Sequence, residues 1–331
     1  MSVKSELLKL LEAHRGETVS GEAAAELFSC SRTAIWKAVN SLRREGYQIE
    51  AGPNRGYCLA DEESRLSEEG MRLYLRDPDG GTVETNGRER RITVLEQTGS
   101  TNLEARKALL EGRAASGDVI AARFQTEGRG RRGKSFFSPA GGIYLSIILQ
   151  PHTTIRDSLL LTTAAAAAVF KAVKKVCAVS LDIKWVNDLY LNGRKVCGIL
   201  TEAMTDFESG AVEAVIVGIG LNVWLEKEQL PDELKETAGG LFADAKAGRA
   251  ADRNLLAAQI VNEFLELAGK KSLAPEYVER NLVPGHRILI TDGDFSREAR
   301  AAEILPDGRL RVLEKDGTEG VLSFGEIRVL D

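Results

Sequence analysis

Histidine and cysteine are scarce in this chain of 331 residues, and their scarcity removes whole classes of chemistry. The three histidines, His14, His152 and His286, stand apart and have no metal-ligand spacing, so histidine catalysis is not the expectation. The four cysteines, Cys30, Cys58, Cys177 and Cys197, contain no Cys-x-x-Cys pair. Neither a zinc site nor a disulfide framework is indicated, and reduced, buried thiols are expected. No apolar run approaches the roughly 18 residues of a membrane span, and no apolar leader opens the chain. A cytoplasmic protein without membrane attachment is therefore expected. Positive charge is not in excess either: 44 Lys and Arg face 49 Asp and Glu, for a net charge of -5. Any nucleic-acid contact must come from a local patch. Chemistry is left to Arg, Lys, Asp, Asn and backbone groups, on a chain long enough for two or three domains of about 100–200 residues.

What is present is concentrated in Gly128-Arg129-Gly130-Arg131-Arg132-Gly133-Lys134-Ser135. Glycines and cations together make a flexible seat for a phosphate or carboxylate. Gly128, Gly133, Lys134 and Ser135 fit the P-loop pattern, and Gly128, Gly130 and Gly133 fit the dinucleotide fingerprint. Both patterns need a helix to start at the end of the loop. The chain continues instead Phe136-Phe137-Ser138-Pro139-Ala140-Gly141-Gly142, a poor helix start. The loop is expected to hold an anion in neither of those ways, which weighs against a P-loop ATPase.

In the N-terminal segment, Leu7, Leu8, Leu10 and Leu11 mark a short helix, and Ser20 is placed to cap a second. After the turn Phe28-Ser29-Cys30-Ser31, Ile35, Ala38, Val39 and Leu42 define the buried stripe of a third helix. Its other face carries Arg32, Thr33, Trp36, Lys37, Asn40 and Arg44. Two β-like runs, 47–49 and 57–59, flank a Gly-Pro-Asn-Arg-Gly turn with Arg55 at its tip. Three helices and a hairpin make a winged helix-turn-helix over residues 1–62, in which those polar residues and Arg55 would contact operator DNA. A small helical domain for protein contacts is the alternative. A unit of this size would bind DNA as a homodimer reading two half-sites. Residues 63–90 read as a linker with a short helix, and Asp77-Pro78-Asp79-Gly80-Gly81 reads as a turn.

From residue 91 to 282 strands and helices interleave, with hairpins prevailing over strict βαβ alternation. This predicts a mixed α/β domain and weighs against the P-loop and Rossmann folds. Strand ends collect Ser100, Thr101, Gln125, the arginine loop, Asn187, Asp188, Lys195, Gly218 to Gly220 and Asn222. Ser100 and Thr101 read equally well as helix caps. Without a nucleophile–base pair, these groups point to catalysis by positioning and charge stabilisation, as in adenylyl or phosphoryl transfer. Residues 283–331, with Asp-Gly turns at Asp292-Gly293, Asp307-Gly308 and Asp316-Gly317, predict a small β-barrel.

Five segments carry a specific resemblance: the arginine loop, Phe137-Ser138-Pro139-Ala140-Gly141-Gly142, Lys184-Trp185-Val186-Asn187-Asp188, Gly193-Arg194-Lys195-Val196-Cys197-Gly198 and Gly218-Ile219-Gly220-Leu221-Asn222. With the winged helix in front, the chain resembles the biotin–protein ligases of the bifunctional type that also represses the biotin operon. The family usually has proline where Val186 stands. The resemblance implies a class II synthetase-like central sheet, an SH3-like barrel and a two-step reaction through biotinyl-5′-adenylate. Biotin and Mg·ATP would be consumed, and a lysine of a biotin carboxyl carrier domain would be modified. It further implies that Ser100, Thr101, Asn102 and Gln125 hold the biotin head group. Arg129, Gly130, Arg131, Lys195, Gly198 and Gly218 would lie along the ligand. Arg131, Arg132, Asn187, Gly220 and Asn222 would serve the nucleotide. Lys195, Arg131 and Asp188 would be catalytic, and Asp188 would also meet Mg²⁺. A lipoate-type ligase and a biotin sensor without catalysis are the neighbouring alternatives.

Overall fold

The computed structural model describes residues 2–52, 56–60, 65–76, 88–150, 157–205, 211–270, 272–293 and 295–331. Three short helices come first: α1 (Val3–Ala13), α2 (Gly21–Leu27) and α3 (Arg32–Arg44). Each begins at a serine, Ser2, Ser20 or Ser31, whose hydroxyl accepts a backbone N–H two or three residues into the helix. Such caps stabilise a helix start by about 1 kcal/mol each. The stripe expected on α3 is the one buried, Ile35, Ala38, Val39 and Leu42, and it packs on Leu7, Leu8 and Leu11 of α1. Strands β2 (Ile49–Gly52) and β3 (Gly56–Leu59) form the wing. A two-residue strand β1 (Thr18–Val19), too short for any periodic signal, pairs with the other edge of β3. The wing tip with Arg55, the turn at 77–81 and His152 lie outside the described residues.

Within the segment read as a linker, α4 (Glu68–Arg72) is packed down, with Leu66 and Met71 buried in the central core. Ser5 of α1 donates to Glu69 at 2.7 Å, joining the winged helix to this short helix.

The central sheet has seven strands: β4 (Ile92–Thr98), β5 (Val119–Gln125), β6 (Gly142–Leu149), β7 (Asp182–Lys184), β8 (Asp188–Leu191), β9 (Arg194–Thr205) and β10 (Val212–Asn222). Their order is β4-β5-β6-β10-β9-β8-β7. Only β4 and β5, linked by α5 (Thr101–Leu110), run parallel; the other ladders are antiparallel. This is the hairpin-dominated mixed sheet expected from the sequence. One face is covered by α6 (Asp157–Cys177) and, beyond a short α7 (Ala245–Ala250), by α8 (Arg253–Lys270) and α9 (Pro275–Glu279). Val215, Val217, Ile219 and Leu221 of β10 join that core. Because side chains alternate along a strand, Ile216, Gly218 and Gly220 point to the opposite face, where Ile216 meets Ala105 and Ala108 of α5. Beyond α5 that face is open, and the cavity lies there.

The C-terminal strands β11 (Arg287–Asp292), β12 (Phe295–Ile304), β13 (Leu310–Glu314), β14 (Glu319–Leu322) and β15 (Glu326–Val329) form an antiparallel sheet ordered β14-β13-β12-β11-β15. Glycines 293, 308 and 317, each with positive φ, turn the chain at the three Asp-Gly sites. This sheet is docked, not tethered: Ile288, Ala301 and Leu310 belong to the central core, and the Trp185 indole donates to the Gly308 carbonyl at 2.9 Å.

Candidate active site

Sheet register assembles the site in two neighbouring rows. One row runs Lys184, Asp188, Gly198, Gly220, Tyr144, each directly opposite the next across β7, β8, β9, β10 and β6. Charge sits at one end, glycine in the middle and a fully buried tyrosine at the other end. The second row runs Leu200, Gly218, Ser146 across β9, β10 and β6. Above these rows is a cavity of about 530 Å³.

The glycine floor is occupied from above by Phe136. A Cβ on residue 220 would lie 2.5 Å from its ring, and one on residue 198 would lie 3.0 Å from it. The ring also meets Tyr144 edge-on, with centroids 6.5 Å apart. Phe136 was not among the residues singled out in the sequence. It looks there like any apolar residue after a loop.

The arginine loop folds back on itself. Gly130 donates to the Lys134 carbonyl at 2.7 Å and Phe136 to that of Gly128 at 2.8 Å. A Cβ at Gly128 would lie 2.2 Å from the Phe136 oxygen, so only glycine fits. Residues 131–133 form one 3₁₀ turn, and the chain then enters β6 with no α-helix between, which removes the P-loop and dinucleotide readings. Arg131 Nη1 donates to Asn187 Oδ1 at 3.0 Å, and burial pulls its guanidinium below the usual arginine range. Arg129 faces Glu202 at 3.4 Å. Arg132 and Lys134, at the rim of the cavity, pair with Asp292 and Glu326 of the C-terminal sheet at 2.7 and 2.5 Å.

At the charged end, Lys195 Nζ lies 2.7 Å from Asp188 Oδ1. Burial lowers the neighbouring Lys184 ammonium, with Asp188 opposing the shift. Asn187 is held by its Nδ2 donating to the Ile199 carbonyl at 2.9 Å. The Trp185–Val186 peptide is cis, and the Val186 carbonyl accepts from the Tyr277 hydroxyl at 2.9 Å.

The closed end is polar. Gln125 Oε1 accepts the Thr101 backbone N–H at 2.8 Å, while its Nε2 donates to Ser138 at 2.9 Å. Ser100 precedes α5 without a side-chain capping bond. Asn102 lines the cavity but is already bonded at both ends: Nδ2 donates to Glu202 at 2.7 Å, and Oδ1 accepts from Ser146 at 2.6 Å. Its Oδ1 would sit 2.3 Å from a Cβ at Gly218.

The structure thus brings most of the expected residues around one cavity. Ser100, Thr101, Asn102 and Gln125 form one wall, and Arg129 to Arg132 the lid. Asn187, Asp188, Lys195, Gly198, Gly218 and Gly220 complete the lining. Asn222 does not line it. It lies one row further along β10, opposite Gly142, and its Nδ2 donates to the Gly239 carbonyl at 3.1 Å. His14 and His286 pair with Glu17 and Asp331 far from the cavity. Besides Phe136, the sequence reading gave no role to Lys184, which it quoted only within a motif, or to Ser146 and Glu202. The last two lie in strands without local signal and reach the site only through register.

On the N-terminal unit, Arg32, Thr33, Lys37 and Arg44 are exposed, Asn40 is half-buried, and Trp36 is 57% exposed. A tryptophan held in solvent on the polar face of α3 suits a contact surface better than a fold.

A winged helix joined to a mixed sheet with a glycine floor and a cationic lid defines the class: a DNA-binding unit fused to a ligase domain. The family model for the biotin/lipoate A/B protein ligase family matches residues 94–222, and one for an HTH domain matches residues 3–58. The chain is 33% identical over 337 residues to the bifunctional ligase/repressor BirA of Escherichia coli, covering 98% of this chain and 97% of that one. Against the Bacillus subtilis protein of the same name, identity is 34% over 253 residues, covering 76% and 74%. A biotin protein ligase from Aquifex aeolicus, solved with biotin and ATP, shares the fold at a TM-score of 0.61 and 24% identity, covering 73% of this chain and all of that one. The chain belongs to the family of bifunctional ligase/repressor BirA proteins.

Proposed function

We infer that this chain joins biotin to a lysine of a biotin carboxyl carrier domain at the expense of ATP. We also infer that it represses transcription in response to biotin. The carrying observation is the polarity of the cavity, with amide and hydroxyl groups at the closed end, a bare glycine floor, and Arg131, Lys195 and Asp188 at the open end. A neutral cyclic urea fits the first, and a carboxylate meeting a triphosphate fits the last.

A biotin carboxylate oxygen attacks the α-phosphorus, forming an O–P bond as the bond to the β-phosphate oxygen breaks and pyrophosphate leaves. Arg131 and Lys195 neutralise charge on the reacting oxygens, which in a site sheltered from water is worth several kcal/mol. The Phe136 ring and the lid exclude water from the mixed anhydride. The carrier lysine then attacks the acyl carbon as a neutral amine, AMP leaves, and the amine loses its proton, which the Asp188 carboxylate beside Lys195 would receive. Magnesium fits only as a partner of the nucleotide. Among the described residues no group of three or more His, Cys, Asp or Glu could hold a metal. The ion would therefore bind through ATP phosphates and water with Asp188 as protein ligand, screening phosphate charge.

Adenylate binding would order the arginine loop and favour a homodimer that presents two α3 helices to a palindromic operator. The ligand can do so only through its differential affinity for the ordered state. A dimerisation constant unchanged by adenylate in sedimentation removes that part. Among the described residues no helix is long and apolar enough to cross a membrane, in keeping with a cytoplasmic site of action. Incubation with ATP, biotin and a purified carrier domain should add one biotinyl group to a single lysine by mass spectrometry. No addition leaves a sensor without catalysis, and equal use of lipoate makes the chain a lipoate-type ligase.

A further inference from the structure

Among the described residues six cationic side chains line the cavity. Five of them meet a carboxylate or, for Arg131, an amide oxygen, at 2.5–3.4 Å. Lys184 is the sixth. Among the described residues no carboxylate lies within 4.0 Å of its ammonium. Asp188, directly opposite it across the β7–β8 pair, is taken by Lys195 of β9 instead. What Lys184 does meet is the Tyr190 ring, with Nζ 5.6 Å from the centroid. A ring face attracts a cation but offers no lone pair to the three N–H donors of an ammonium. A half-buried charge without an acceptor is costly, and an anion in the cavity removes that cost.

Its place on the sheet says which part of a ligand it meets. Strand order runs from β4 and β5, whose ends carry the polar wall, past the glycines of β10 and β9 to Asp188 on β8 and Lys184 on β7. Each strand is one step of about 4.8 Å. With the head group at the polar wall and the α-phosphate at Lys195 and Asp188, the β- and γ-phosphates fall one step further out, over β7. We propose that Lys184 binds the pyrophosphate portion of ATP and neutralises it as it departs. This rests on the ligase reading above. As the bond from the α-phosphorus to the bridging oxygen breaks, its electron pair stays on that oxygen of the β-phosphate. The Lys184 ammonium meets the added charge and keeps its proton. Lys184 serves adenylation only, because no pyrophosphate is present when the carrier lysine attacks.

Lys184→Met keeps an unbranched stem against Tyr190 and removes the charge. In pyrophosphate–ATP exchange by the full chain it should raise KM for pyrophosphate about 10- to 100-fold, the effect of losing one charge-assisted contact. KM for biotin should stay within about twofold of wild type, as should the rate of transfer from preformed biotinyl-5′-adenylate to a carrier domain. Lys184→Arg, which restores the charge in a different shape, should bring KM for pyrophosphate back to within about fivefold of wild type. An unchanged KM for pyrophosphate in Lys184→Met, or no recovery in Lys184→Arg, overturns the proposal. An equal loss in the transfer step overturns it too, since distortion of the turn or a carrier contact would slow both steps. If Lys184→Met does not fold, acetylation of the wild type answers instead. Saturating magnesium pyrophosphate should slow acetylation of Lys184 at least about fivefold by mass spectrometry, and no protection overturns the assignment. Absence of biotin-dependent exchange in the wild type instead refutes the ligase reading itself.

Discussion

Replacing Gly220 by alanine tests whether the glycine floor exists to seat Phe136 and the ligand above it. The new Cβ would lie 2.5 Å from Phe136 Cε1 and 3.0 Å from Cδ1 and Cζ. Carbon atoms prefer about 3.5–4.0 Å, so the overlap is about 1 Å. The ring cannot yield toward the sheet, because the backbones of residues 198 and 220 lie directly beneath it, and Tyr144 meets it on one side. It can move only upward into the cavity. Overpacking of this kind costs about 1–3 kcal/mol, and each 1.4 kcal/mol is about tenfold in affinity. KM for biotin in the exchange reaction should therefore rise by up to about 150-fold, and the melting temperature should fall by about 2–4 °C per kcal/mol of overlap strain that the ring does not relieve. In a Phe136→Ala background the same substitution should cost less than about twofold, since neighbouring residues couple and the overlap is gone. A wild-type KM for Gly220→Ala, or a penalty that survives Phe136→Ala, refutes this reading of the floor.

Lys195→Ala should slow adenylation about 10²- to 10³-fold, the usual effect of removing one charge-stabilising donor, with KM for biotin much less affected; a rate within fivefold of wild type in single-turnover experiments rules Lys195 out. Lys37→Ala, on the exposed face of α3, should weaken operator binding and lower the salt slope by about 1, which titrations at several salt concentrations will read; an unchanged slope takes Lys37 off the phosphate backbone. Burial holds the Glu12 carboxyl above its ordinary 4.5, with the adjacent Arg15 opposing. A raised folded-state value means the contribution is present below the unfolded value and is lost as pH rises through the folded one. Relative to Glu12→Gln, the wild-type winged helix should therefore gain stability in urea melts as pH falls from neutral toward 4.5, and the opposite slope contradicts the assignment.

What could be read from residue order was what is decided locally. The α3 stripe follows from a 3.6-residue period, its start from Ser31, and the failure of the P-loop pattern from Pro139 and the two glycines behind it. Wall residues such as Thr101, Gln125 and Asp188 were also legible, because strand ends announce themselves by polar and glycine clusters. What escaped was set by register. Ser146 and Glu202 sit in strands as unremarkable polar positions, and only the pairing of Ser146 with Gly218 and of Glu202 with Ile216 carries them to Thr101 and Asn102. Asn222 lies outside the cavity lining for the same reason in reverse. Its motif is right, but one more step along β10 takes it past Phe136 and onto the Gly239 carbonyl. Phe136 illustrates a third limit, since an aromatic ring has meaning here only against two glycines on separate strands.

The central claim is that one cavity joins the carboxylate of a head group chosen at its closed end to a nucleotide held at its open end. Exchange of labelled pyrophosphate into ATP measures that step without carrier or DNA. The account predicts exchange that requires biotin, is not supported by lipoate, and is lost in Lys195→Ala. Exchange without biotin, equal exchange with lipoate, or none with biotin and Mg·ATP at saturation would contradict it.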